Sequence, residues 1–190
     1  MILNKLFIFH LLMFSLLNAE IGITIIGGFN HSNVIHQNKN MQEWSGDIKS
    51  LSFAVERKLG PVKTSIGYTN GGYINGRYDI DTTLNVTFLN IDSYYPINIG
   101  KTTLIGGVYI ASPLSANESY STGSSITIKP EDISYDYGVL IGGSFAFNER
   151  LGIRIIMHYG LVDLWKNPLK NGSFTTILSG INIYLSLIHI

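Results

Sequence analysis

Residues Leu151 to Leu161 read Leu-Gly-Ile-Arg-Ile-Ile-Met-His-Tyr-Gly-Leu, and the stretch alternates with a period of two. Every residue of one parity is apolar or aromatic, whereas the other parity holds Arg154, His158 and two glycines. Successive side chains of a β-strand point to opposite faces, so the pattern predicts a strand with one apolar and one polar face.

The same alternation recurs along the chain and predicts eight strands. Short connections containing Gly, Pro, Asn or charged residues alternate with longer polar connections, as in an up-and-down meander with two distinct ends. The predicted strands are 20–30, 47–58, 62–73, 80–97, 101–113, 132–148, 151–165 and 173 onward.

The composition of the 190-residue chain indicates one hydrophobic domain. Hydrophobic residues make up 45% and charged residues only 14%, well below the roughly 25% of a soluble domain. The 13 Lys+Arg equal the 13 Asp+Glu, so the positive excess that nucleic-acid binding requires is missing. The chain has no cysteine, which excludes disulfides, thiolate metal sites and cysteine nucleophiles.

Residues 1–19 have the pattern of a secretory signal peptide. Lys5 supplies the positive charge, an apolar run from Leu6 to Leu17 follows, and Ala19 provides a small residue for cleavage. That run is shorter than the ~20 residues of a transmembrane helix. We therefore expect a cleaved signal peptide over residues 1–19 and a barrel domain over residues 20–184.

Alternation alone leaves two barrel architectures open. A soluble barrel points its apolar parity inward, whereas a transmembrane barrel points it at lipid and fills its lumen with polar groups. Three features favour the transmembrane barrel. The first is a polar parity that mixes glycines with charges of both signs, which suits a narrow lumen. We predict a lumenal charge network of Glu56, Lys63, Asp92, Asp136, Arg154 and His158.

The other two features are strand length and the aromatic residues. Each predicted strand is long enough for the 9–11 residues that a tilted transmembrane strand needs. Aromatic rings gather near strand ends, where they suit the bilayer interfaces. The expected fold class is an all-β, eight-stranded antiparallel up-and-down transmembrane β-barrel in the bacterial outer membrane. The predicted interface aromatics are Phe29, Tyr73, Tyr94, Tyr95, Tyr135, Tyr137, Phe147 and Trp165.

Three segments carry a family resemblance. Residues 136–143 read Asp-Tyr-Gly-Val-Leu-Ile-Gly-Gly, residues 147–153 read Phe-Asn-Glu-Arg-Leu-Gly-Ile, and residues 159–164 read Tyr-Gly-Leu-Val-Asp-Leu. With them, the chain resembles the outer-membrane β-barrel domain proteins related to the PorT family. Asn90 and Asp92 stand where that family commonly has Glu and Pro. The resemblance implies an outer-membrane location and an eight-stranded barrel, and it supplies no active site.

The last six residues, 185–190, read Leu-Ser-Leu-Ile-His-Ile. They resemble the translation of a transposase adapter used to prepare sequencing libraries, and outer-membrane barrels of this kind usually end on an aromatic residue. We therefore expect the native coding sequence in this chain to stop near Tyr184 and the true end to be missing. An ordinary apolar strand end stays open as an alternative, because Ile183, Leu185 and Leu187 keep the alternation.

The candidate chemistry centres on Asp136, Arg154 and His158. Neighbouring strands would bring these side chains together in the lumen, either as an acid–base site or as a satisfied ion network. We favour the network, because an isolated buried charge is costly. His31 and His36 are too few ligands for a metal site. We predict no catalytic residue, no metal site and no cofactor.

The expected function is that of a non-enzymatic integral outer-membrane protein with a structural or interaction role through its extracellular loops. The alternative is a narrow pore or solute-binding barrel, although an eight-stranded lumen is filled by its own side chains. A secreted soluble β-barrel binder ranks lower. Expected partners are outer-membrane lipid and lipopolysaccharide, the barrel assembly machinery, and a protein at the extracellular loops. The Ser- and Thr-rich segment 114–131 is the expected contact region.

Overall fold

The computed structural model describes residues 22–36, 45–46, 48–77, 80–166 and 174–187. The predicted signal peptide and residues 188–190 lie outside the described residues. Among those described, no helix is long and apolar enough to cross a membrane. A single turn of 3-10 helix covers Pro130–Asp132. The strands are β1 (Ile23–His36), β2 (Ser45–Gly46), β3 (Ile48–Leu59), β4 (Val62–Arg77), β5 (Ile80–Ile99), β6 (Thr102–Tyr120), β7 (Ser125–Ile128), β8 (Asp136–Ala146), β9 (Leu151–Asp163) and β10 (Phe174–Leu187).

Eight of these strands close into an antiparallel ring. The ring runs β1–β3–β4–β5–β6–β8–β9–β10 and returns from β10 to β1. Each ring strand pairs with the next one along the chain, which confirms the predicted eight-stranded up-and-down barrel. Closure leaves no ring strand with an unpaired edge. The short strands β2 and β7 lie outside the ring and pair with β4 and β6, respectively.

Tight connections mark one end of the barrel. The turn from β3 to β4 contains Gly60, and the turn from β5 to β6 contains Gly100. Both glycines have a φ near +60°, the left-handed conformation that such turns favour. The first residue of β1 and the last residue of β10 pair at this same end. Transmembrane barrels have short periplasmic turns and longer extracellular connections, so this end is periplasmic.

Around the periplasmic half of the barrel, the mostly apolar parity of the strands faces outward. On β9, Arg154 is 5% exposed and Ile155 is 55% exposed, and burial alternates in this way from Leu151 to Leu161. This exterior of exposed isoleucine, leucine and valine side chains, here called the lipid-facing belt, confirms the predicted orientation. A closed barrel with an apolar exterior and a polar interior is the architecture of outer-membrane barrels. The chain is therefore an integral outer-membrane β-barrel protein.

The two faces exchange polarity along β5. From Leu89 to Ile99 the exterior positions are mostly apolar and the interior ones include Asn90 and Asp92, as in a membrane. From Ile80 to Thr87 the exterior is polar, and the interior positions Leu84 and Val86 are completely buried. The strand thus runs beyond the lipid-facing belt on the extracellular side, where the wall has the pattern of a water-soluble barrel.

A β-bulge occurs where β6 leaves the belt. Thr87 pairs with Ser115 and Phe88 pairs with Pro113, so Leu114 is the extra residue. A bulge shifts the alternation by one residue, and Ala116 beyond it becomes an interior residue. The prediction that this strand ends at residue 113 is therefore wrong.

Several other predicted boundaries are corrected. Much of the predicted loop 114–131 is a hairpin of β6 and β7. β1 and β4 also run further than predicted, to His36 and Arg77. β8 begins at Asp136 rather than at residue 132, because the chain there forms the 3-10 turn. The backbone of Leu185–Leu187 pairs with β1 as the end of β10, and the adapter origin of residues 185–190 stays a prediction.

Candidate functional site in the barrel lumen

Glu56 on β3 is the centre of a charge cluster in the periplasmic half of the lumen. Its side chain is almost fully buried. Lys63 Nζ lies 2.9 Å from Oε1, and Arg154 Nη1 lies 2.5 Å from Oε2. The Tyr94 hydroxyl donates to Oε2 and accepts a hydrogen bond of 2.8 Å from Arg154 Nη1. Two cations and one phenol thus compensate a single buried carboxylate, as a buried charge requires.

A second cluster surrounds Asp92 on β5. His158 Nε2 lies 3.2 Å from Asp92 Oδ1, and Ser65 Oγ donates to Oδ2 at 3.2 Å. The ring of Tyr109 packs edge-on against His158, with centroids 4.8 Å apart. The Tyr109 hydroxyl donates to Asp136 Oδ2 at 2.9 Å. This cluster connects two carboxylates through an imidazole and a phenol.

The predicted grouping of Asp136 with Arg154 and His158 needs correction. Arg154 pairs with Glu56 on β3, across the lumen from β9, and His158 pairs with Asp92. Asp136 is connected to His158 through Tyr109. These contacts form a compensated ion network. The predicted lumenal residues Glu56, Asp92, Asp136, Arg154 and His158 are all buried, whereas the Lys63 side chain is 36% exposed.

Tyr94 and Tyr109 are network members that the sequence analysis did not assign to the lumen. The available signal for Tyr94 was its spacing, since a residue two positions from the lumenal Asp92 shares its face. The predicted interface position is wrong for Tyr73, Tyr94 and Trp165, because all three are buried inside the barrel. The interface position stays a prediction for the five other aromatics, which are exposed on the exterior: Phe29, Tyr95, Tyr135, Tyr137 and Phe147.

An apolar cluster fills the extracellular part of the lumen. Leu84 and Val86 are fully buried in it, together with Ile133, Leu164 and Trp165. The segment that follows the 3-10 turn is held over this cluster by backbone hydrogen bonds. The N–H of Ser134 donates to the carbonyl oxygen of Leu164 at 2.8 Å, and the N–H of Lys166 donates to the carbonyl oxygen of Asp132 at 3.1 Å. The outer half of the lumen is therefore packed like a protein core.

The polar half of the lumen contains small cavities. One of about 200 Å³ is lined by Glu56, Lys63, Arg154 and Tyr184 at the periplasmic side. Another of about 40 Å³ lies deeper, next to His158.

Among the described residues no group of three His, Asp or Glu side chains is arranged to hold a metal ion. The two lumenal clusters therefore hold opposite charges together across the ring.

The comparisons with known proteins identify the fold. No protein-family model matches the chain, and no curated protein matches it. The chain is similar to the crystal structure of Neisserial surface protein A, with a TM-score of 0.61, 13% identity, and coverage of 86% of this chain and 96% of that one. It is also similar to Ail of Yersinia pestis, with a TM-score of 0.52, 12% identity, and coverage of 89% and 100%. Ail in complex with the heparin analogue sucrose octasulfate gives 0.51. At these identities the likeness is one of fold, that of small outer-membrane barrels.

Proposed function

We propose that this outer-membrane barrel is non-enzymatic and non-conducting, and that it binds a partner through the part of its wall that stands above the lipid-facing belt. This part, here called the extracellular sheet, consists of residues 70–77 of β4, 80–87 of β5 and 115–120 of β6, together with β7. The observation that carries the proposal is the complete burial of Leu84 and Val86. These side chains occupy the space that an open channel would need, while the wall around them projects outward.

The edge of the extracellular sheet supports a binding role. β7 pairs with β6 through Ala116 to Ser119, and among the described residues its other edge has no strand partner. Ile126 on β7 is exposed. An unpaired strand edge is a template for an added strand from another chain. The partner class that fits this edge is therefore an extended protein segment.

The positions of the hydrogen-bonded pairs in the β6–β7 hairpin identify the backbone groups that a partner strand would use. Tyr120 N donates to Ser124 O at 2.9 Å across the turn. Antiparallel ladders alternate between hydrogen-bonded and non-hydrogen-bonded pairs. The backbone N–H groups of Ser125 and Thr127 therefore point away from β6. A partner strand would accept hydrogen bonds from these two groups.

The remaining partners follow from the membrane location. The lipid-facing belt would contact outer-membrane lipid, lipopolysaccharide would surround the outer leaflet portion, and the barrel assembly machinery would insert the chain. We also propose that the chain is related to the PorT-related proteins, and the sequence of residues 136–143, 147–153 and 159–164 supports this relationship. Ail is the attachment invasion locus protein of Yersinia pestis, and surface attachment is a role of the kind that we propose for this chain.

Planar-bilayer recording tests the non-conducting part of the proposal. We expect no discrete openings from the purified full-length protein, because the apolar cluster blocks the outer lumen. Discrete openings that disappear in Arg154→Ala would support the alternative, a narrow pore, and overturn the proposal. Lipid hydrolysis by the wild type that is lost in His158→Ala would overturn its non-enzymatic part.

Site-specific photo-crosslinking in cells tests the binding part. A photoreactive residue at Ser125 should give one discrete protein adduct, whereas one at Val108 in the lipid-facing belt should not. Thr127→Pro removes a backbone N–H that points away from β6, so every β6–β7 hydrogen bond is retained. This variant should abolish the adduct. Thr127→Val retains that N–H and serves as the matched control. Equal adducts in the two variants, or no adduct in the wild type, would contradict binding at this edge.

A further inference from the structure

The lipid-facing belt is concave on the wall formed by β6, β8 and β9. A groove of about 680 Å³ lies there, lined by Leu104, Ile141, Phe145, Ile153 and Ile155. Gly143 forms its floor, since it pairs with Leu104 on one side and with Ile155 on the other. The exposed side chains of those two residues form the walls. The groove is therefore a gap in the exterior that one missing side chain creates.

The backbone does not require glycine at this position. Gly143 has no positive φ, and a Cβ added there would lie 3.4 Å from the nearest atom, the carbonyl oxygen of Thr103. Its neighbour Gly142 differs, because a Cβ there would collide with the carbonyl oxygen of Ile155. What Gly143 provides is thus the open space on the exterior.

The groove lies in the periplasmic leaflet. Leu104 and Ile153 each stand two residues from the strand end at the periplasmic turns, and Phe145 stands one residue from it. The two turns meet through a hydrogen bond of 2.8 Å from Ala146 N to Lys101 O. Lys101 and Arg150 are exposed there and have no ion-pair partner among the described residues, and Glu149 is the one acidic side chain of the two turns.

We propose that this groove is a binding site for a phospholipid of the periplasmic leaflet. One acyl chain lies over Gly143 between Leu104 and Ile155, and the phosphate group lies near Lys101 and Arg150. Apolar walls match the chain, and a net positive rim matches the phosphate at headgroup level. The inference depends on the membrane orientation of the barrel and is independent of its partner at the extracellular sheet.

Native mass spectrometry of the refolded full-length protein in detergent tests the site, with dioleoylphosphatidylglycerol as the probe. The wild type should hold one lipid through gas-phase activation. Gly143→Leu fills the groove and should lose this adduct. Gly27→Leu is the matched control, because Gly27 also faces outward, its added Cβ would lie 3.9 Å from the nearest atom, and β1 lies away from the groove. Replacing Lys101 and Arg150 together by glutamine should weaken binding about tenfold.

Heat-modifiable migration in gels verifies that each variant is folded before lipid binding is compared. Equal lipid retention by the wild type and folded Gly143→Leu would overturn the proposal, as would loss of lipid in Gly27→Leu to the same extent. A wild-type dimer that Gly143→Leu converts to monomer would also overturn it, since the groove would then be an interface between two copies of this chain.

Discussion

Arg154 and Glu56 are 98 positions apart in the chain, and they meet inside the barrel with Nη1 of the arginine 2.5 Å from Oε2 of the glutamate. Both side chains are buried, with exposed fractions of 6% for Arg154 and 3% for Glu56. Because both charges are removed from water, each depends on the other for compensation. The pair connects β3 to β9, strands that are not neighbours in the ring. It therefore fixes the relative position of two strands that are separated in the ring by β1 and β10.

Removal of one partner should destabilise the barrel strongly. Arg154→Met leaves the Glu56 carboxylate buried with a single cation, and it should lower the free energy of unfolding by about 3–5 kcal/mol. Lys63→Met is the matched control, since Lys63 binds the same carboxylate from a partly exposed position, and it should cost no more than about 1 kcal/mol. Urea unfolding in lipid vesicles measures both variants. Equal losses would contradict the assigned roles.

The hydroxyl of Tyr94 should contribute separately from its ring. Tyr94→Phe removes the group that donates to Glu56 and accepts from Arg154, so we expect a loss of about 1–3 kcal/mol in the free energy of unfolding. Tyr95→Phe is the control at the next position, because the exposed Tyr95 faces the exterior. A Tyr95→Phe variant as unstable as Tyr94→Phe would show that the parity of this strand is misassigned.

These two tyrosines also illustrate how far sequence reasoning reaches. Alternation in 151–161 predicted the strand, the inside and the outside, because the side-chain period of a β-strand is purely local. Proximity to a strand end then placed both tyrosines at a bilayer interface. Adjacent residues of a strand cannot share a face, so only one of the two could lie there, and the lumenal Asp92 determines that Tyr94 is the interior one.

Other features depend on relations that no local pattern contains. The pairing of Arg154 with Glu56 follows from the stagger of strands around the closed ring. The predicted end of the strand at residue 113 is wrong, because Pro113 and the polar residues after it are typical of a loop although β6 continues to Tyr120. In the structure, a bulge at Leu114 keeps the strand paired while the two faces exchange polarity. Where one strand passes from a wall with an apolar exterior to a wall with a polar exterior, its sequence shows an interrupted alternation of apolar and polar residues.

The apolar cluster above the polar lumen should be a main source of stability. Leu84→Ala creates a cavity at a completely buried position and should reduce the free energy of unfolding by about 2–5 kcal/mol. Leu89→Ala, on the same strand and facing lipid, leaves no internal cavity and should have a much smaller effect. Urea unfolding in vesicles compares the two. If Leu89→Ala were the more damaging change, the interior and exterior of β5 would be reversed.

Arginine substitutions on β6 should locate the boundary between membrane and water. Val108 is exposed within the lipid-facing belt, and Val108→Arg should destabilise the folded state by about 2–4 kcal/mol, because a charge is costly near the bilayer midplane. Asn117 is exposed on the same strand beyond the bulge, and Asn117→Arg should change stability by at most about 1 kcal/mol. The free energy of folding into vesicles measures the difference. Equal tolerance of both arginines would mean that Val108 faces water, and the barrel would then not span a membrane in this orientation.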